Sequence, residues 1–130
     1  MIHGIKFSNK VVLVNSTPHP VSIQDTNGEL VTVSCSVLIN ARAVETQVSD
    51  LFVKTSFVGD EAGTQTIAAI EDWFANEPEF EDCRLVILGS IIAAQAYPGK
   101  VFGMTPVPGY ERVAPAEKRM RCDKFTTFAE

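Results

Sequence analysis

Val21-Ser22-Ile23-Gln24-Asp25-Thr26-Asn27-Gly28-Glu29-Leu30-Val31-Thr32-Val33 decides the class of fold. Val21 and Ile23 before, and Leu30, Val31 and Val33 after, flank Asp25-Thr26-Asn27-Gly28, whose Asn-Gly supplies the left-handed conformations a tight reversal needs. Two short strands joined this way pair antiparallel, so local hairpins set the expected sheet. Toward the C-terminus the pattern recurs. Val44, Thr46 and Val48 alternate with Glu45 and Gln47, and past Ser49-Asp50, Leu51, Val53, Thr55 and Phe57 alternate with Phe52, Lys54 and Ser56. This predicts a second hairpin. Toward the N-terminus, the β-branched run Val11-Val12-Leu13-Val14-Asn15 is stopped by Ser16-Thr17-Pro18-His19-Pro20, where two prolines remove two backbone donors and impose a corner.

From Gly63 the period lengthens. Ile67, Ile70, Trp73 and Phe74 fall on one helical face with Glu71 and Asp72 off it, which predicts a helix over about 64–76 with Thr64 as N-cap and Pro78 as terminator. Trp73 and Phe74 read as core. Arg84-Leu85-Val86-Ile87-Leu88 is β-branched and apolar, whereas Ile91-Ile92-Ala93-Ala94-Gln95-Ala96 is alanine-rich, so a strand over 84–88 is expected to pass through Gly89-Ser90 into a helix near 90–97. Lys100-Val101-Phe102-Gly103-Met104 reads as an edge strand before the proline-rich 105–110. The expected fold is α+β: an antiparallel β-sheet built from hairpins, with strands over about 11–15, 20–25, 29–35, 42–48 and 51–58, and two helices. A chain of 130 residues, 45% hydrophobic, suits one core, hence a single domain with a basic, proline-rich C-terminal arm from about 105.

The net charge of −5 conceals an asymmetry, since residues 1–96 sum to −7 and residues 97–130 to +2. Asp60, Glu61, Glu71, Asp72, Glu77, Glu79, Glu81 and Asp82 form a stretch with no base, which argues against duplex nucleic acid as a partner. No apolar run has membrane-span or signal-peptide length, so a cytoplasmic location without membrane attachment is expected. Cys35, Cys83 and Cys122 form no C-x-x-C pair and the chain has two histidines, so neither a disulfide framework nor a metal site is expected.

Phosphate-loop, dinucleotide, zinc-protease and serine-elbow signatures are all missing, and adjacent acids such as Glu71/Asp72 point in different directions, so no catalytic residue and no cofactor is assigned. What remains is a binding inventory. Arg112, Lys118, Arg119, Arg121 and Lys124 lie close together near Phe102, Tyr110, Phe125 and Phe128, and arginine suits both bidentate phosphate contact and stacking on a base. Thr126 and Thr127 add hydroxyls. The candidate ligand-binding set is Arg119, Arg121, Arg112, Phe102, Asp123, Phe125 and Thr126. The competing account has Arg119 and Arg121 paired with the acids of 60–82, tying the tail down.

Two segments carry a resemblance. Val12-Leu13-Val14-Asn15-Ser16-Thr17-Pro18-His19-Pro20-Val21 looks like the N-x-TPHPV opening of small proteins encoded by bacteriophages. Leu88-Gly89-Ser90-Ile91-Ile92-Ala93-Ala94-Gln95-Ala96-Tyr97-Pro98-Gly99, continued by Arg119-Met120-Arg121-Cys122-Asp123-Lys124-Phe125-Thr126-Thr127-Phe128, is similar to the second half of phage proteins of this length. In length, mixed pattern and arginine-bearing tail the chain resembles the first Thoeris anti-defence family. That resemblance implies a sponge that sequesters a cyclic ADP-ribose-type signal, or a cyclic oligonucleotide, without cleaving it in the host bacterial cytoplasm. It also implies a homo-oligomer, a dimer or larger up to a hexamer, for which the helix around Ile91-Ile92-Ala93-Ala94 is the expected contact. In this reading Arg119 and Arg121 sit on diphosphate, Arg112 assists and Phe102 stacks on adenine. The alternatives are a phage enzyme that hydrolyses such a nucleotide, and a structural or accessory phage protein with no small ligand.

Overall fold

The computed structural model describes residues 1–129. Nine strands and two helices follow one another as β1 (Ile5–Lys6), β2 (Val11–Asn15), β3 (Val21–Gln24), β4 (Leu30–Val33), β5 (Arg42–Gln47), β6 (Val53–Val58), α1 (Glu61–Ala75), β7 (Arg84–Leu88), α2 (Ile91–Ala96), β8 (Val101–Pro106) and β9 (Met120–Thr126). Seven strands form one sheet in the order β1-β2-β7-β8-β9-β3-β4, and β5 and β6 form a separate two-stranded ribbon. The fold is α+β, and four of the seven strand pairings are antiparallel.

Both expected hairpins form. In β3–β4, Gly28 N–H donates to Asp25 O at 2.9 Å, and only Gly28 of the Asn-Gly pair takes a positive φ, 88°. The parallel pairings join segments far apart in sequence: β2 to β7, β7 to β8 across α2, and β3 to β9. β2 is buried along its whole length because it is covered on both faces. Val14, Ile87 and Val101 pack with Ile67 and Ile70 of α1 and Ala93 of α2 on one face, while Val11, Leu13, Leu88, Ile23, Val33 and Cys122 pack with Phe7 on the other. Full burial of each branched side chain contributes roughly 1.5–3 kcal/mol, so these two clusters dominate the stability of the fold.

Three local expectations are corrected. Helix α1 is capped by Asp60, whose carboxylate accepts from Gly63 N–H at 2.8 Å, and not by Thr64. Gly63, in the first turn of α1, makes room for Tyr97, whose hydroxyl accepts from Asp60 N–H at 2.9 Å. The segment read as an edge strand at 100–104 becomes β8, flanked on both sides by β7 and β9. Of the chain beyond 105, residues 107–118 lie outside the sheet and include a short 3-10 turn, Pro115–Glu117, after which β9 enters the sheet between β8 and β3.

The Pro18-His19-Pro20 corner is held by its neighbour in sequence. Fully buried Asn15 donates through Nδ2 to His19 O at 2.8 Å and to Val33 O at 3.0 Å, and its Oδ1 accepts from Thr17 N–H at 2.9 Å. The Ser16 hydroxyl and N–H both donate to Leu88 O, at 2.5 and 2.9 Å. Thus Asn15, Ser16 and Thr17 hold the corner through bonds to the backbone groups around it.

Candidate binding cleft

The face of the sheet opposite the helices is only partly covered, and its floor follows from strand alternation. In β7, Leu85 packs toward the helices, so Arg84 and Val86 point the other way; in β8, Val101 packs toward the helices, so Phe102 and Met104 do the same. The adjoining strand β9 is irregular. Met104 pairs with Phe125 and Pro106 with Met120, so one residue of β8 opposes four of β9, and Arg121-Cys122-Asp123-Lys124 bulges from the ladder. Asn9 Nδ2 anchors that bulge by donating to Cys122 O at 2.9 Å.

Between these elements lies a cleft of about 460 Å³, within the range of small-ligand sites. Val11, Val86, half-buried Phe102 and half-buried Phe125 give it an apolar floor, and Arg84, Lys124, Asp123 and Asn9 stand at its walls. Arg84 and Lys124 have no ion-pair partner among the described residues. Asp123 is held by Arg121, Nε to Oδ1 at 2.7 Å and Nη2 to Oδ2 at 3.1 Å. Those bonds keep the Asp123 carboxyl below the ordinary range, so it is charged and its charge is matched by Arg121.

The sequence-derived set is therefore divided. Phe102, Asp123 and Phe125 come together at this cleft. Arg121 lies on an adjacent hollow of about 400 Å³ with Gln24, Thr26 and Pro108, although Asp123 and Cys122 line both. Arg119 lies on a third hollow, its guanidinium 4.8 Å over the Tyr110 ring and Nη1 donating to Gln24 Oε1 at 3.4 Å. Arg112 lines a shallow hollow with Gly109, Glu111 and Val113. Thr126 pairs with Gly103 in the ladder. Neither Arg119 nor Arg121 bonds to the acids of 60–82; the ion pair reaching that stretch is Lys100 to Glu71 at 2.8 Å. Arg84 was not singled out in sequence, where a cation opening an apolar strand carries no functional mark. Its alternation with Leu85 shows it only once the open face of the sheet is known.

The chemistry open to the cleft is set by its charges and its thiol. Burial pushes the Cys122 thiol up, and negative Asp25 and Asp123 push it further, so it stays protonated and is a poor nucleophile at neutral pH. Its Sγ lies 3.9 Å from Asp25 Oδ1. Asp25 itself is buried. Burial pushes its carboxyl up, but the Ser8 hydroxyl and the N–H groups of Thr26 and Ser8 outweigh burial and hold it below the ordinary value. Among the described residues no three His, Cys, Asp or Glu side chains converge as a metal site, and no helix is long and apolar enough to cross a membrane. No protein family, curated protein or solved structure matches the chain.

Proposed function

We propose that the protein is a sponge for a small anionic nucleotide, of the cyclic ADP-ribose type or a cyclic oligonucleotide, held intact in the cleft between Phe102 and Phe125. The carrying observation is the pairing of an apolar, aromatic floor with two cations, Arg84 and Lys124, that have no ion-pair partner among the described residues. A flat base is served by the aromatic floor and a diphosphate by the cations, and such sites combine few placed polar groups with apolar walls. In the proposed role the protein acts as a phage anti-defence factor in the host bacterial cytoplasm, competing with the receptor of an immune signal. A dimer or larger oligomer, up to a hexamer, belongs to the same proposal, and Ile91 and Ile92 of α2, 45% and 43% exposed, are apolar enough to serve it.

The test is to incubate the protein with cyclic ADP-ribose isomers and cyclic di- and trinucleotides, remove free ligand, denature by heat and analyse what is released. A sponge returns the ligand unchanged and stoichiometric with protein. Converted product makes the protein a hydrolase. No retained ligand across the panel leaves an accessory phage protein as the remaining account.

A further inference from the structure

The β5–β6 ribbon is built as a pairing edge. All six residues of β5 and the first four of β6 are exposed, and Val44, Val48, Leu51, Phe52 and Val53 expose large apolar side chains on it. A two-stranded hairpin alone is marginal in water, and further strands normally stabilise it. Val48 N–H donates inward to Phe52 O at 2.9 Å. Successive residues of an antiparallel strand alternate between inward and outward hydrogen bonding, so Arg42, Val44 and Thr46 share the inward sense of Val48, and the N–H and C=O groups of Ala43, Glu45 and Gln47 point away from β6. Among the described residues no strand pairs with that edge.

We propose that this edge takes a second copy of the same chain, with the two β5 strands antiparallel about a twofold axis at Thr46. Such an axis brings together residues of the same face, which leaves few registers. Centring on Glu45 sets Glu45 against itself. Centring on Val44 sets Arg42 opposite Thr46 and Glu45 opposite Ala43, with no charge matched. Centring on Thr46 sets Val44 opposite the second copy's Val48 and Glu45 opposite its Gln47, each contact occurring twice, and brings Arg42 beside the turn Ser49-Asp50 of the second copy, where the Asp50 carboxylate lies within reach of its long side chain. Apolar pairs directly across strands stabilise a sheet, the opposite charges of Arg42 and Asp50 meet where each β5 begins beside the other copy's turn, and the Glu45–Gln47 positions are those with outward backbone groups. Net charge also favours contact through the ribbon. Residues 42–58 are neutral, Arg42 and Lys54 against Glu45 and Asp50, so the −5 of the chain lies elsewhere. The result is a four-stranded sheet with β5 strands at its centre. This inference stands independently of the ligand cleft.

The experiment is sedimentation equilibrium on the full chain, from about 1 to 100 µM, the range suited to a modest interface. A monomer–dimer equilibrium is expected. Arg42→Asp or Asp50→Arg alone should weaken it about tenfold or more, and the double exchange Arg42→Asp/Asp50→Arg should restore it to within about threefold. Thr46→Cys should give a disulfide-linked dimer under mild oxidation, because facing Cα atoms of such a pair are about 4.5 Å apart, while Thr55→Cys and the unsubstituted chain should not. A monomer throughout the range overturns the proposal, as does a dimer insensitive to both single substitutions, or one that cross-links through Thr55→Cys and not Thr46→Cys. All four positions are exposed, so the variants are expected to fold.

Discussion

Arg121 and Asp123 form a two-point ion pair across a single intervening residue of β9, with Nε to Oδ1 at 2.7 Å and Nη2 to Oδ2 at 3.1 Å. The pair turns the fork of Arg121 toward a carboxylate of its own chain, while the same carboxylate borders the cleft at Phe102. In the proposed account, Arg121 acts on a bound anion by neutralising Asp123. Arg121→Ala is expected to weaken anion binding about threefold in low salt, with loss of the effect in an Asp123→Asn background and in high salt, because the charges are exposed and screened. The melting temperature should hardly move. Calorimetric titration of the single and double variants checks this.

Asn15→Leu should be among the most destabilising single substitutions in the chain. It leaves Val33 O and Thr17 N–H without the amide that serves them, while His19 O keeps the Thr17 hydroxyl, and each buried unsatisfied group costs about 1–3 kcal/mol. Urea unfolding is expected to show a loss of at least about 2 kcal/mol. A loss under half of that would mean that water serves the corner.

Gly63→Ala tests the packing of α1. In an exposed helix interior this change stabilises by about 0.5–1 kcal/mol, yet here a Cβ at Gly63 meets the Tyr97 hydroxyl and Cζ. Overpacking of this kind costs about 1–3 kcal/mol, so the expected outcome in thermal unfolding is a lower melting temperature, not a higher one.

The sequence made the local elements legible and left their long-range arrangement hidden, for physical reasons. The run 84–88 and the alanine-rich 91–96 declare strand and helix by composition, and each forms over those residues. Asn27-Gly28 and Ser49-Asp50 declare hairpins because a reversal needs a few local residues. The β2–β7 and β3–β9 pairings depend on partners far along the chain, which no local period encodes. The proline-rich run after Met104 made β8 read as an edge, but Pro106 only closes the strand at its end, and within it Gly103 admits the Ile91 side chain, whose Cδ1 would lie 2.6 Å from an added Cβ. For the cleft, Phe102, Asp123 and Phe125 were legible as aromatic and charged residues near a cationic tail. Arg84 was not, since its role depends on which face of β7 is uncovered.

Asp25 should set part of the acid sensitivity of the fold. Its carboxyl lies below the ordinary value in the folded protein, so its ionised form contributes stability that is fully present above the unfolded value, about 4, and is lost as pH falls through the lower folded value. Asp25→Asn should lower stability at neutral pH and flatten its decline between about pH 4 and pH 2. Urea midpoints across that range measure both effects. A decline as steep as that of the unsubstituted protein would place the acid-labile group elsewhere.

The most direct measurement of the central claim is a calorimetric titration of cyclic ADP-ribose isomers into the unsubstituted protein and into Arg84→Ala, Lys124→Ala and Phe102→Ala, beside Arg119→Ala and Arg112→Ala. Loss of a charge-assisted contact to phosphate costs about 1.5–3 kcal/mol, so the account predicts roughly ten- to a hundredfold weaker binding for Arg84→Ala and Lys124→Ala, and a comparable loss for Phe102→Ala. Arg119→Ala and Arg112→Ala, in separate hollows, should stay within about threefold of the unsubstituted protein. Unchanged affinity in the first three variants together with loss in Arg119→Ala would contradict the cleft as the site and move the ligand to the hollow beside Tyr110.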